Sequence, residues 1–500
     1  MSAAPPDPAT IVIFGGSGDL SKRKLVPALY ELHVQGQLPA GTCIVGYART
    51  GESDETYRAE VKAAVAEFAR IQPVDEAKWK SFESRLFFFR GDLNQSANYA
   101  GLKTRLETIE KTRGIPGNRI FYLAIPPSMI GAVVQHLGSA GFVYPADGGP
   151  WSRVIVEKPF GRDLETARAL NEELSHVFHE HQIFRIDHYL GKETTQNILV
   201  FRLGNGIFEP LWNRRYVDHI QITVAESIGV ENRGRFYEEA GVLRDIIQNH
   251  VLQLLCLVAM EPPVAFDPDS VRDEKVKVLK CIQPQTPDEI IRDTVRGQYG
   301  AGAIGGQPVV GYRSEKDVNP MSLRETYAAW KVQVENWRWA GVPFYLRAGK
   351  RLAKRVTEIA IQFKTPPISL FRQVGVMKQE TNALILRIQP DEGIALKFGA
   401  KEPGPTMKVD PVTMDFRYSE FFGASQPEAY ERLLMDAMHG DSTLFARRDE
   451  VEAAWERVTP LLDVWRDNPP VDHPNYEAGT WGPDAAVALL ARDGRRWRRP

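Results

Sequence analysis

The sequence has few cysteines, no long unbroken apolar run and almost no net charge. Its three cysteines, Cys43, Cys256 and Cys281, lie far apart without a CxxC spacing, which argues against a zinc site or a disulfide framework and favours a reducing cytoplasm. Its longest apolar stretch, Ile246–Met260, is broken by polar residues and is shorter than the roughly 18–20 residues that span a bilayer. The formal net charge is -2, so nothing global attracts the chain to nucleic acid or to an anionic membrane, and we expect neither as a partner.

The composition that remains is that of a soluble globular protein. Hydrophobic residues make up 43% and charged residues 25% of 500 residues, which is enough chain for two or more domains that each bury a core. The opening segment, MSAAPPDPAT, lacks the basic and apolar regions of a secretory signal. We therefore expect a cytoplasmic location.

Residues 1–190 carry the pattern of a doubly wound α/β domain. Thr10–Phe14 is a short apolar run rich in β-branched residues, a glycine-rich turn follows it, and a segment with helical periodicity leads to a second apolar run at Cys43–Tyr47. Such a strand, turn, helix and strand normally form a right-handed crossover between parallel strands. Further predicted strands are Leu86–Phe89, Arg119–Ala124 and Arg153–Val156.

Residues 191–500 change to a period of two, which predicts an α+β domain with a large, mainly antiparallel sheet. The alternation appears at Ile220, Ile222 and Val224 and returns in four later segments that centre on residues 346, 361, 386 and 396. Predicted helices at 241–260 and 427–440 would cover one face of this sheet. We expect the basic end of the chain, GRRWRRP, to be a solvated tail.

The glycine-rich turn GGSGDL is a candidate phosphate-binding loop. It lacks the third glycine of the dinucleotide fingerprint and is not a Walker loop. Glycines nevertheless let a backbone approach a pyrophosphate, and the helix that begins near Asp19 offers free N–H groups and a positive dipole end. The alternative is an ordinary tight turn. The candidate cofactor-binding residues are Gly15, Gly16, Ser17, Gly18, Asp19 and Leu20.

Arg49 follows the second predicted strand, where NAD-binding folds place an acidic residue on the ribose 2′-hydroxyl. An arginine at this position suits a 2′-phosphate, so the sequence favours NADP over NAD as the cofactor. The alternative interpretation is a surface arginine without a ligand.

The segment RIDHYLGKE, at Arg185–Glu193, joins a predicted strand end to a predicted helix start. Ligands of open α/β sheets bind at the carboxyl ends of strands, and a phosphomonoester favours cations, hydroxyls and a helix N-terminus. His188, Tyr189 and Lys192 supply such groups, with Asp187 beside them. The alternative is an ordinary polar cluster at a strand end.

The segment GVLRDIIQNH, at Gly241–His250, predicts a buried helix that carries an isolated histidine. His250 is five residues beyond Asp245, which is roughly 140° around a helix with 3.6 residues per turn. Asp245 is therefore not expected to orient His250, and Asp187 is the better candidate. The alternative is that His250 is a core residue with its hydrogen bonds satisfied locally.

These motifs, together with YART and EKPFG, occur in the order and approximate spacing of glucose-6-phosphate dehydrogenases, and the chain resembles that family over nearly its whole length. The resemblance implies a Rossmann-like NADP-binding domain at 1–190 and a substrate-binding and oligomerisation domain at 191–500. It implies oxidation of D-glucose 6-phosphate at C1 to 6-phosphogluconolactone with NADP, the first oxidative step of the pentose phosphate pathway, without a metal. It also implies a homodimer or homotetramer.

The resemblance assigns a role to each site residue. His250 would accept the proton and Asp187 would be its partner, while His188, Tyr189 and Lys192 would hold the 6-phosphate. Lys158 would lie between sugar and cofactor. The remaining substrate residues would be Glu226, Asp245 and Lys350, and Arg49 and Asp92 would complete the cofactor site.

One departure from the family pattern concerns the second, structural NADP of mammalian members. Val356 and Ala360 stand where some of its cationic ligands are expected, so we predict that this chain lacks that site despite Arg347 and Arg355. Two other functions stay open at this stage. One is a different NADP-dependent sugar oxidoreductase, and the other is a nucleotide-binding protein without enzymatic activity.

Overall fold

The computed structural model describes residues 5–51, 53–144, 149–368, 381–423 and 428–500. The chain divides into two compact units by its internal contacts. The first consists of Met1–Gly191, Ala265–Arg272 and Pro427–Glu452, and the second of Lys192–Val264, Asp273–Gln426 and Ala453–Pro500. The predicted functional division at 1–190 and 191–500 stays a prediction, because compactness does not say which residues bind cofactor or substrate.

The strands, in chain order, are β1 (Thr10–Phe14), β2 (Cys43–Ala48), β3 (Leu86–Arg90), β4 (Arg119–Leu123), β5 (Ser152–Glu157), β6 (Ile183–Ile186), β7 (Val217–Ala225), β8 (Thr294–Gly297), β9 (Tyr299–Gly300), β10 (Gly302–Ile304), β11 (Gln307–Val309), β12 (Tyr327–Gln333), β13 (Pro343–Gly349), β14 (Val356–Phe363), β15 (Ala383–Gln389), β16 (Gly393–Lys401), β17 (Val409–Arg417), β18 (Phe445–Ala446) and β19 (Tyr476–Glu477).

The α-helices are α1 (Val26–Val34), α2 (Asp54–Phe68), α3 (Glu76–Glu83), α4 (Ser96–Arg113), α5 (Ile130–Ser139), α6 (Leu164–Ser175), α7 (Glu193–Leu203), α8 (Gly234–Val242), α9 (Leu252–Ala259), α10 (Pro268–Cys281), α11 (Pro287–Asp293), α12 (Tyr418–Phe422), α13 (Ala429–His439), α14 (Arg448–Asp467) and α15 (Asp484–Ala491). Ser21–Leu25 and Leu243–Val251 are π-helical, and short 3₁₀ turns occur at Pro127–Met129, Glu180–Gln182, Glu209–Leu211, Glu231–Arg233 and Tyr312–Ser314.

The first unit is built on the sheet β18-β6-β5-β4-β1-β2-β3. Strands β1 to β6 pair in parallel, and β18 joins β6 in the antiparallel direction. Every residue of β1 and of β2 is buried, as expected for parallel strands that are covered on both faces. The predicted Rossmann-like class and its strands are confirmed.

Helix α13 is a correction to the predicted organisation. It was expected to cover the sheet of the second domain, but Leu433, Leu434 and Met438 lie in the same buried cluster as Leu29 of α1, in the first unit. Helical periodicity reports an apolar stripe without reporting which sheet the stripe covers. The segment returns to the first unit because its continuation, β18, pairs with β6.

The second unit contains the large sheet β17-β16-β15-β14-β7-β13-β12-β8. Its pairs are antiparallel except for β7 with β13, so the predicted α+β class is confirmed. Among the described residues, Glu231–Ala259 is the helix that is long and apolar enough to cross a membrane by length and composition alone. Inside the protein, 94% of its most apolar window is buried, which is the environment of a core helix.

The basic end of the chain is docked rather than solvated, so that expectation is wrong. Arg495 pairs with Asp218 at 2.9 Å, and Arg498 pairs with the buried Glu358 of β14 at 2.9 Å. The guanidinium of Arg347 lies 4.4 Å from the ring centroid of Trp497 and donates to the carbonyl of Arg498. Carboxylates of the second unit therefore pair with two arginines of the tail, and the tail's Trp497 packs on the guanidinium of Arg347 in the sheet.

Candidate active site

The predicted cofactor-binding turn, Arg49 and Asp92 lie at one edge of the first unit's sheet. Strands β1, β2 and β3 are parallel neighbours, so the segments that follow them emerge on the same side. The glycine turn follows β1, Arg49 follows β2, and Asp92 follows β3 after one residue. Strand order also reverses direction from β1, which has β4 on one side and β2 on the other, and crevices at such points bind ligands in open α/β sheets.

The glycine turn is tightly packed against its own sheet. Gly15 has φ +84°, and a Cβ there would lie 2.3 Å from the carbonyl oxygen of Ala124. A Cβ at Gly16 would lie 2.7 Å from the Cα of Gly46. Backbone packing therefore requires these two glycines whether or not a nucleotide binds. The helix begins at Asp19, as predicted, and presents its first N–H groups at the turn that contains Ser17, Gly18 and Leu20.

Arg49 and Asp92 differ in how firmly they are held. Arg49 is exposed and makes no ion pair with any residue in the described part of the chain, so its guanidinium is available to an anion. The carbonyl of Asp92 accepts a hydrogen bond from the Tyr47 hydroxyl at 2.9 Å, and its carboxylate accepts one from the Asn94 N–H at 2.9 Å. Burial raises the pKa of Tyr47 to about 12, so this hydroxyl stays a donor.

The same edge of the first unit carries the end of β6. Asp187 follows β6 and is buried, and its Oδ1 accepts the backbone N–H of Tyr189 at 3.0 Å. The rings of His188 and Tyr189 lie 5.1 Å apart between centroids, nearly edge to face. Lys158 follows β5, the neighbour of β6, and its bond to Pro159 is cis. The parallel sheet thus gathers Lys158 and Asp187 on the side of the glycine turn.

In the second unit, the two predicted sugar-binding residues Glu226 and Lys350 form an ion pair. Glu226 follows β7 and Lys350 follows β13, which are the parallel pair of the large sheet. Their Nζ and Oε2 atoms lie 2.6 Å apart, and only 4% of Lys350 is exposed. The Tyr476 hydroxyl donates to the carbonyl of Lys350 at 2.8 Å, which fixes the backbone from which this side chain extends.

The period of 3.6 residues per turn that was expected between Asp245 and His250 is wrong. Asp245 and His250 both lie in the π-helical segment Leu243–Val251, in which hydrogen bonds join residues five apart instead of four. Five residues then make about one turn, so Asp245 is not carried to another face of the helix as a period of 3.6 predicts. Asp187 belongs to the first unit and His250 to the second, and their pairing stays a prediction that rests on the family resemblance.

Asp245 and His250, which both lie in the π-helical segment, are buried. His250 is 1% exposed, and its backbone N–H donates to Oδ1 of Asn249 at 2.6 Å. Asp245 is 5% exposed and has the guanidinium of Arg233 at 3.8 Å. A buried carboxylate and a buried imidazole in one distorted helical turn are typical of a functional site, because regular packing does not require either group.

Two residues that contact predicted site residues were missed in the sequence, namely Gln389 and Tyr237. The ammonium of Lys192, which precedes α7, contacts the side-chain oxygen of Gln389. The amide of Gln389 donates to Thr357 at 3.1 Å. The ring of Tyr237 lies 5.2 Å from the Lys350 ammonium. Gln389 directly follows the predicted alternation at residues 384–388 and ends β15, so its place at a strand end was a usable signal, whereas nothing in the sequence singles out Tyr237.

Comparison with known proteins gives the chain a family. The family model described as "Glucose-6-phosphate dehydrogenase, NAD binding domain" matches residues 12–197. The model described as "Glucose-6-phosphate dehydrogenase, C-terminal domain" matches residues 199–498. The glucose-6-phosphate 1-dehydrogenase of Chlamydia pneumoniae is 49% identical over 495 residues, covering 98% of this chain and 96% of that protein. The enzyme of that name from Mycolicibacterium smegmatis is 49% identical over 494 residues, covering 99% of this chain and 98% of that protein.

Solved structures agree with the sequence matches. The structure of glucose-6-phosphate dehydrogenase in complex with its substrate glucose-6-phosphate superposes with a TM-score of 0.89 at 39% identity, covering 99% of this chain and 100% of that chain. Glucose-6-phosphate 1-dehydrogenase from Mycobacterium avium gives a TM-score of 0.83 at 35% identity, with 99% of both chains covered. The fold and site define an oxidoreductase with a Rossmann-like nucleotide-binding domain and a separate α+β domain. The chain belongs to the glucose-6-phosphate dehydrogenase family.

Proposed function

We propose that the protein oxidises D-glucose 6-phosphate at C1 to 6-phosphogluconolactone, with hydride transfer to NADP. The observation that carries the proposal is family membership along the whole chain, with 49% identity to a named enzyme over 98% of the residues. The motif residues of the family are intact here, including RIDHYLGKE and the His250 segment.

Oxidation at C1 removes a hydride from carbon and a proton from the C1 hydroxyl. Bound NADP would supply the hydride acceptor, and Arg49 is proposed to hold its adenosine 2′-phosphate. His250 accepts the hydroxyl proton at a ring nitrogen, for which imidazole is suited because its ordinary pKa is near ~6.5. Asp187 orients the imidazole and stabilises the imidazolium that forms.

The cofactor role of the first unit is supported by position and chemistry together. The helix N-terminus at the glycine turn, the exposed Arg49 and the anchored Asp92 share one sheet edge. A pyrophosphate is stabilised by unpaired N–H groups, and a 2′-phosphate is stabilised by a guanidinium. We propose Lys158 as the residue between cofactor and sugar.

The remaining polar groups are proposed to bind the sugar phosphate. His188, Tyr189 and Lys192 hold the 6-phosphate, for which a lysine before a helix N-terminus is electrostatically favourable. Glu226, Asp245 and Lys350 bind sugar hydroxyls. The Glu226–Lys350 pair is supported by its 2.6 Å contact, which holds an acceptor and a donor side by side before any sugar binds.

Absorbance at 340 nm tests the proposal by following NADPH formation in the purified protein. We expect turnover with glucose 6-phosphate and NADP, and at least about 100-fold lower kcat/KM with glucose, because the phosphate contacts are lost. Equal activity with glucose and glucose 6-phosphate would identify a general sugar oxidoreductase. Binding of NADP without turnover of either sugar would identify a nucleotide-binding protein that lacks this activity.

We also propose that the protein is a cytoplasmic homodimer or homotetramer built through the large sheet. Strand β17 and the adjoining α12 expose Met414, Phe421 and Phe422 at 62%, 68% and 72%, an apolar patch on an edge strand. Light scattering coupled to gel filtration should give two or four chains for the native protein. Met414→Glu with Phe422→Glu should shift it towards the monomer, and a monomeric native protein contradicts the proposal.

A further inference from the structure

Glu157, the last residue of β5, is held by two tyrosines from different parts of the chain. Its Oε1 accepts the hydroxyl of Tyr122 at 2.5 Å and the hydroxyl of Tyr430 at 3.2 Å. Tyr122 lies on the neighbouring strand β4, and Tyr430 lies on α13, more than 270 residues further along the chain. A carboxylate that takes two phenol donors on one oxygen is restrained in both position and rotamer.

The electrostatics of this cluster keep the tyrosines as donors. Burial raises the pKa of Glu157, and the two tyrosine hydrogen bonds and nearby Lys158 act in the opposite direction. Burial and the Glu157 charge raise the pKa of Tyr122 well above its ordinary value, and burial and Glu157 also raise that of Tyr430. Both phenols are therefore protonated at neutral pH, and each has one proton to donate.

The turn that follows Glu157 is also fixed at its other end. Gly161 has φ +78°, and a Cβ there would lie 2.5 Å from the backbone nitrogen of Ala167 in α6. Phe160 is buried. Lys158 therefore stands in a five-residue turn between an anchored carboxylate and a glycine packed against a helix. None of the residues at these two anchors carries a role in the proposed reaction.

We propose that Glu157 is a positioning residue, whose carboxylate is clamped by the hydroxyls of Tyr122 and Tyr430 and thereby sets the place of the Lys158 ammonium. The proposal rests on the proposed function, in which Lys158 lies between sugar and cofactor. It explains what the return of α13 to the first unit contributes: the helix supplies one arm of the clamp. Glu157 acts through Lys158 and does not touch the reacting atoms.

Labelling tests the clamp without reference to activity. A lysine-selective acylating reagent is applied at low stoichiometry, and peptide mass spectrometry measures the labelling rate of Lys158 relative to the exposed Lys111. In Tyr122→Phe with Tyr430→Phe, both hydroxyls are lost while Glu157 and the aromatic rings remain, and we expect the relative rate to change at least about threefold. Tyr57→Phe is the matched control, since it removes a buried hydroxyl of the same unit that has no hydrogen-bond partner among the described residues.

Kinetics then separate positioning from folding. Glu157→Gln keeps an acceptor oxygen for the tyrosines, whereas Glu157→Leu removes it, so kcat should fall about 10-fold in the first and about 100-fold in the second. KM for both substrates should change less than about threefold in Glu157→Gln, and its melting temperature should match that of Tyr57→Phe.

Any of three results overturns the proposal. The first is an unchanged relative labelling rate of Lys158 in the double tyrosine variant. The others are equal losses of kcat in Glu157→Gln and Glu157→Leu, or losses of kcat that follow melting temperature across all variants. If the native protein shows no activity with glucose 6-phosphate, the proposed function fails, and the labelling experiment still decides whether the clamp sets Lys158. If Glu157→Leu does not fold, the double tyrosine variant and Glu157→Gln carry the test.

Discussion

His250 combines nearly complete burial with a side chain that apolar packing does not need. A buried imidazole that only filled space would be replaceable by a residue of similar size, whereas a proton acceptor would not. The π-helical segment removes the geometric reason for excluding Asp245, so the chemistry of His250 has to be tested directly.

Replacement of His250 by asparagine should lower kcat by on the order of 10⁴ if His250 is the proposed proton acceptor, because the C1 hydroxyl then loses it. KM for glucose 6-phosphate should stay within about threefold, since the amide retains one hydrogen-bonding position. Steady-state kinetics at 340 nm measure both. His219→Asn serves as the control because it removes another buried imidazole of the second unit. Near-normal kcat in His250→Asn would remove the residue from the mechanism.

Arg49→Ala should raise KM for NADP by about 10-fold or more while changing KM for NAD little, since only NADP has a 2′-phosphate for the guanidinium. The exposed side chain makes no ion pair with the described residues, so its loss should leave the melting temperature unchanged. The KM of Arg49→Ala for NAD is the control, because NAD lacks the 2′-phosphate. Equal increases for both cofactors would assign Arg49 to a part of the nucleotide that they share.

At the scale of elements, the π-helical segment begins two residues after Gly241, whose backbone conformation is strained for any residue with a side chain. Gly241 has φ 64° and ψ 176°, and a Cβ there would lie 2.0 Å from Oε1 of the buried Glu325. The kink allows α8 to lead into Leu243–Val251, which carries Asp245 and His250. The geometry of the site therefore depends on a backbone conformation.

Gly241→Ala should destabilise the protein by on the order of 1–3 kcal/mol from backbone strain alone, with more from the contact with Glu325. Gly341→Ala is the matched control, because Gly341 also has positive φ but has open space around its missing Cβ. Thermal unfolding and kcat measure the two effects. A Gly241→Ala protein as stable and as active as Gly341→Ala would show that the kink is not required.

Asp436 of helix α13 should make the stability of the folded protein depend on pH. Burial raises the pKa of Asp436 to about 6, and Arg432 only partly offsets it. The folded state therefore binds more protons than the unfolded state between pH ~4 and pH about 6, so the free energy of unfolding falls as pH rises through this window. Above it, the destabilisation by the buried, ionised Asp436 is complete. Asp436→Asn should raise the melting temperature at pH 7.5 by a few degrees, and this advantage should disappear near pH 4. The exposed Asp467→Asn should show no such difference, and an advantage independent of pH would contradict the linkage.

The elements that the sequence predicted well are those whose signal is local. Strands β1 to β5 were found within about two residues because apolar β-branched runs between turns have few other interpretations. The alternating segments of the large sheet were found for the same reason. The π-helical segment was not predictable, because the period of 3.6 is assumed in reading a helix and an added residue per turn leaves no compositional mark. The placement of α13 was also hidden, since it depends on a pairing between β18 and β6 that are about 260 residues apart.

At the scale of the whole molecule, the C-terminal tail binds two central strands of the large sheet, β7 and β14. Arg495 and Arg498 pair with carboxylates on β7 and β14, and the Trp497 indole donates to the carbonyl of Ala486 at 2.7 Å. Gln221, on β7, both donates to and accepts from the tail backbone. The sequence indicated only a basic segment, because composition cannot show that the half-buried Asp218 and the buried Glu358 lie within reach of it in the fold.

Loss of this tail should therefore cost more than loss of surface ion pairs. Glu358 is 3% exposed, burial raises its pKa, and the Arg498 guanidinium opposes that shift, so Arg498→Met leaves a buried carboxylate without its cation. Breaking a fully buried pair costs about 3–5 kcal/mol and breaking an exposed pair about 0–1 kcal/mol, and we expect a cost between the two because the Arg498 side chain is 38% exposed. Denaturant unfolding measures the free energy of unfolding, which should be well below that of the native protein in Arg498→Met and in a chain ending at Gly494. In Arg466→Ala, which breaks an exposed pair with Asp463, the free energy of unfolding should be close to the native value. If Glu358→Gln combined with Arg498→Met restores most of the loss, the cost lies in the unpaired charge; if it restores nothing, the tail stabilises the sheet through its aromatic packing on Arg347.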